Sequence, residues 1–153
     1  MNDLNWLHVL ARWLHVLAAV VAVGGAVFWR CVLIPAAAAL PDDAHTALRG
    51  AVRRRWARIL GVAIALLLLT GLFNYLGVTA PVHRGQPLYH ALMGVKIILA
   101  LVVFFLASAL VGAASVFEPI RRSAPAWAAV NILLAALVIA LGCVLKFLPA
   151  SPA

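Results

Sequence analysis

The sequence predicts an all-α fold: an integral membrane bundle of four helices in one transmembrane domain, residues 1–153, with both chain ends on the outer, periplasmic side. Three observations predict it. Hydrophobic residues make up 67% of the chain and charged residues 10%, with a mean hydropathy of +1.11. That composition belongs to membrane proteins and excludes an ordinary soluble domain. Four apolar runs each exceed the ~18 residues needed to cross a bilayer as a helix. Finally, arginine gathers in alternate connections between those runs, the pattern that orients multi-pass proteins. The net charge of +8 is spread over loops and does not form a basic face, so nucleic acid is not an expected partner.

The runs lie at approximately 10–36, 57–78, 88–114 and 126–148. Helices are the only form expected for them, because lipid offers backbone N–H and C=O groups no partner. Pro35, Pro41, Pro81, Pro87, Pro119, Pro125 and Pro149 fall at run ends, where helices start or stop. The first segment, with Asp3 before it and Arg30 within it, reads as a retained helix and not as a cleaved signal. Cys31 and Cys143 fall near opposite faces of such a bundle, beyond disulfide reach.

Orientation follows from the connections. The first carries Arg49, Arg53, Arg54, Arg55 and Arg58, and the third carries Arg121 and Arg122. The second has only Arg84. The two arginine-rich connections are therefore expected on the cytoplasmic side of a bacterial inner membrane. Trp56 and Trp127 then mark the inner interface, and Trp13 and Tyr89 the outer one.

The first run contains a repeat. Trp-Leu-His-Val-Leu-Ala occupies 6–11 and again 13–18, separated by Arg12. Seven residues are close to two helical turns, so His8 stands above His15 on one face. With Arg12 at the interface, His15 lies just below it and His8 roughly 10 Å higher. Four histidines, His8, His15, His83 and His90, thus gather at the outer side, with His45 alone at the other. His15 and His90 lie at similar depth on different helices and suit two axial ligands of a haem iron. The alternative is an interfacial histidine bonded to water or a carbonyl.

Lys96 lies six residues beyond His90, roughly 9 Å deeper. An ammonium there costs about 2.5–3.5 kcal/mol on the insertion scale. The only side-chain carboxylates, Asp3, Asp42, Asp43 and Glu118, all stand outside the runs. Either Lys96 snorkels to the interface, or it meets an anionic ligand such as a porphyrin propionate. Asn74 and Asn131 are expected to bond between helices, and Gly24, Gly25, Gly61 and Gly71 to allow close packing.

Several stretches resemble one family. "RWLHVLAAVVAVGGAVFWRCVLIPA" is similar to the first helix of CopD-like membrane proteins and the related HemJ-type protoporphyrinogen oxidases. "RRRWARILGVAIALLLLTGLFNYL" looks like their second helix, "YHALMGVKIILALVV" their third and "NILLAALVIALGCVLKFLP" their fourth. The resemblance covers 12–149 and implies a four-helix bundle with haem b in the HemJ branch and copper handling in the CopD branch. It implies His15 as a haem ligand, with Lys96 and Asn131 facing the pocket. The chain departs from the HemJ pattern where Ile132-Leu133 follow Asn131, and at Ile34-Pro35-Ala36.

The expected function is haem-b binding with a redox role, linked to a quinone or a porphyrinogen; whether it amounts to a membrane oxidoreductase stays open. A copper-binding or copper-transport protein using His8, His15, His83, His90 and Met93 is the alternative, since copper favours imidazole and thioether ligands. A structural bundle without cofactor is the third reading. The lipid bilayer is the constant partner, and homo-oligomerisation stays open.

Overall fold

The computed structural model describes residues 5–149; Asp3 and both chain ends lie outside them. Four long helices account for most of it: α1 (Trp6–Ala38), α2 (Asp42–Val82), α3 (Pro87–Val111) and α4 (Ala124–Phe147). Each is long and apolar enough to cross a membrane, and no strand occurs among the described residues. The architecture is that of an all-α, multi-pass membrane protein. Its outer surface agrees, with Leu69, Leu133 and Ile98 between 63% and 70% exposed. Isolated in water such a surface would aggregate, whereas in lipid it meets its own kind.

Two boundaries differ from the sequence reading. The first helix starts at Trp6 instead of residue 10, capped by Asn5, whose side chain accepts from the Leu7 and His8 amides at 3.2 and 3.4 Å. Both copies of the repeat therefore ride on one helix. The larger difference lies in the arginine-rich segment. It is not a loop, because α2 begins at Asp42 and carries Arg49, Arg53, Arg54, Arg55 and Arg58 on its opening turns. Pro41 ends the preceding connection, and Asp42 and Asp43 occupy the first turn, where carboxylates complement the helix dipole. Nothing stronger than Gly50 interrupts the helix-forming run that follows.

Prolines also behave differently from expectation. Pro35 and Pro81 do not end their helices. Each follows a π-helical turn, Trp29–Leu33 and Tyr75–Thr79, and opens the segment beyond it. A wider turn accommodates the ring that would clash with the carbonyl four residues back. α3 ends at Val111, three residues before the predicted limit, and the chain runs on from Gly112 in extended conformation.

The bundle consists of two hairpins. α1 packs along α2 and α3 along α4, while α2–α3 and α1–α4 contacts join the pairs more lightly. α1 and α3 thus stand diagonally across the bundle. The core between α1 and α2 is made of small and branched residues, Ala18, Ala63 and Leu67, with Phe104 reaching it from α3. Gly25 is a true close approach, since a Cβ there would fall inside the Trp56 ring, and Gly71 lies against His15. Gly24 and Gly61, expected to do the same, face open space. Polar ties close the ends. Arg30 Nε donates to the Pro125 carbonyl at 3.0 Å, and Arg121 donates to the carbonyls of Gly112 and Ala114. At the opposite end Gln86 donates to the Pro149 carbonyl at 3.0 Å. Between α2 and α3, Gly85 turns the chain with φ +76°, a conformation that suits glycine.

Candidate functional site

All four helices contribute to a polar level away from the arginine-rich end. His15 comes from α1, Thr70 and Gly71 from α2, Lys96 from α3, and Gly142 with Cys143 from α4. His15 Nδ1 lies 2.9 Å from Thr70 Oγ1, and the Thr70 hydroxyl bonds the Leu66 carbonyl one turn back. That carbonyl has no proton, so the threonine must donate to it and accept from the imidazole. His15 is thereby held as the Nδ1–H tautomer. Its Nε2 keeps a lone pair.

Gly71 sets the position of the ring. A Cβ at residue 71 would stand 3.0 Å from His15 Cε1, so any larger side chain would press on the imidazole. Lys96 stands on α3, the helix diagonal to α1. Its Nζ lies 3.2 Å from where a Cβ on Gly142 would be, against α4. Among the described residues no carboxylate pairs with it.

His90 belongs to a different arrangement. Its Nε2 lies 3.1 Å from the His83 carbonyl, and its Nδ1 lies 3.0 Å from the Tyr75 hydroxyl. The carbonyl fixes Nε2 as the donor, so Nδ1 accepts from tyrosine and both nitrogens are occupied. His83 is buried, donates through Nδ1 to the Thr79 carbonyl at 2.9 Å, and stacks flat on Tyr89 at 3.6 Å. Tyr89, expected as an interfacial anchor, is consequently only 3% exposed. This cluster staples α2 to α3. Tyr75→Phe should cost about 1 kcal/mol, the worth of one such hydrogen bond, read as a lowered unfolding midpoint in detergent. It should leave the His15 level unchanged.

His8 rests on Phe73, with ring centroids 5.4 Å apart, and near Gly77. The repeat therefore sets two histidines along one α1–α2 seam, one against Phe73 and Gly77, the other against Thr70 and Gly71. Met93 is half-buried on α3. Among the described residues no three His, Cys, Asp or Glu side chains converge as a metal cluster.

Asn131 stands apart from Lys96. On α4 it is eleven residues from Gly142, roughly 16 Å along the axis, and it lines a cavity of about 450 Å³ at the arginine-rich end. It does not make the interhelical bond expected of it, for its buried Oδ1 has no partner. Sequence reading passed over this cavity. Its only signal was the pairing of Trp29 and Trp56 with arginines, which also describes an ordinary interface.

The fold is that of a multi-pass α-helical membrane protein. No protein-family model, curated protein or solved structure matches the chain.

Proposed function

We propose that the protein binds haem b within the membrane and has a redox role, with a quinone or a porphyrinogen as electron partner. We further propose that it lies in a bacterial inner membrane with the arginine-rich end cytoplasmic, as the arginine bias favours. The observation that carries the haem reading is the His15–Thr70–Leu66 chain of hydrogen bonds. It leaves one imidazole nitrogen deprotonated and oriented, the state in which histidine ligates iron.

The donor set fits one imidazole ligand to the iron and one counter-charge. His15 Nε2 would hold the iron and Lys96 would face a propionate, its charge otherwise without a carboxylate partner. His90 fits as a second ligand poorly, because ligation would break a bond to Tyr75 or to the His83 carbonyl. Bound haem b supplies one-electron exchange at its iron. Thr70 fixes the tautomer and Gly71 leaves the ring its room.

The test is the absorption spectrum of protein purified gently from haem-replete cells. A Soret band supports the reading; bound copper without it supports the copper alternative; a colourless, metal-free protein defeats both. Lys96→Met should weaken haem affinity about tenfold or more, the loss of a charge-assisted contact in a low-dielectric site. The apo protein should unfold at the same temperature or higher, since a costly buried charge has been removed. Unchanged affinity would assign Lys96 to snorkelling.

A further inference from the structure

The cavity at the arginine-rich end has an apolar body and two different polar ends. Arg49 and Arg53 stand one turn apart on α2 at its mouth, and neither has a carboxylate partner among the described residues. Glu118, also at the mouth, is held by Arg121 at 2.9 Å and Arg122 at 3.9 Å. Arg121 donates to Glu118 and to the carbonyls of Gly112 and Ala114. The free positive charge facing the cavity is therefore that of Arg49 and Arg53. Leu60, on the same helix and lining the same cavity, is seven residues below Arg53, about 10 Å deeper. Trp29 and Trp56 form aromatic wall from α1 and α2.

At the apolar end stands Asn131, 4% exposed, with its carbonyl oxygen buried and unpartnered. An unsatisfied buried acceptor is costly, and a bound group with a donor would remove that cost. We propose that the cavity is a binding site for an elongated amphipathic organic anion. The acidic group pairs with Arg49 and Arg53, the aromatic or apolar body lies along Trp29 and Trp56, and a hydroxyl or N–H donates to Asn131 Oδ1. The pair of guanidiniums suits an oxyanion through bidentate bonding. The ligand enters from the arginine-rich end. The site is independent of the histidine–lysine level and needs no cofactor there.

Three probes isolate the two polar ends: hydroxybiphenylcarboxylate, biphenylcarboxylate without the hydroxyl, and hydroxybiphenyl without the acid. Quenching of tryptophan fluorescence in nanodiscs of phosphatidylcholine reads their binding to the full chain. The hydroxylated acid should bind at least about tenfold more tightly than either control, the effect of one unsatisfied partner. Asn131→Leu should abolish the preference for the hydroxyl alone, and Arg49→Gln with Arg53→Gln the preference for the acid alone. Equal binding of all three probes to the wild-type protein would overturn the proposal, whether or not the variants fold. So would loss of all probe binding on replacing the nanodisc lipid with phosphatidylglycerol, which would give the cavity to a lipid headgroup.

Discussion

Replacing His15 by alanine should eliminate the Soret absorption of the purified protein, whereas His90→Ala should retain it. The contrast follows from where the nitrogens go. His15 keeps Nε2 unbonded because Thr70 takes Nδ1–H, while both nitrogens of His90 are spent on Tyr75 and the His83 carbonyl. Iron ligation replaces no bond at the first and one at the second. His90→Ala should instead appear as lost stability, through the α2–α3 staple, by about 1–3 kcal/mol for the groups left unpaired. His8→Ala should leave the spectrum intact, since that ring rests on Phe73 two turns away. Loss of the band in His90→Ala at full stability would restore the bis-histidine arrangement. Equal losses in His8→Ala and His15→Ala would indicate ligation by both copies of the repeat.

The largest effect on stability is expected at Gly25. A methyl there has to displace the Trp56 ring, which is wedged between α1 and α2. Overpacking of this kind costs typically 1–3 kcal/mol, and more where a ring cannot move. Gly24, its neighbour, has nothing within 4 Å of its virtual Cβ. Gly24→Ala should therefore be neutral or stabilising, through the higher helix propensity of alanine. Unfolding midpoints of the two variants in the same detergent measure the difference. Trp56→Ala should cancel most of the Gly25→Ala penalty, a coupling that additive, independent sites would not show. Equal midpoints for the two alanine variants would mean that Trp56 has a second place to go.

What the sequence by itself determined is the class of protein. Four runs of apolar residues have no stable alternative to helices in lipid, so fold, span number and the absence of strands were readable from composition and length. Helix limits were less so. The arginines of α2 were read as a loop because charge was treated as the end of a span, whereas a helix continues into water wherever propensity and capping allow. Pro35 and Pro81 were read as stops because a π-turn has no sequence signature of its own.

Only the tertiary structure decided which polar residues share a site. Rotation about a helix axis is set by packing against neighbours, and a greasy helix offers no amphipathic face from which to read it. His15 and His90, expected at similar depth, stand at different levels: one is bound to Thr70 on α2, and the other is tied up with Tyr75, five residues further along α2, and with the His83 carbonyl. The resemblance groups Asn131 with Lys96, but it lies toward the other end of α4, where it lines a cavity and its buried carbonyl oxygen has no partner. Even the tautomer of His15 depends on a threonine 55 residues away and on that hydroxyl's own acceptor. Depth is a local property of the chain; which side chains meet at that depth is a property of how four helices turn toward each other.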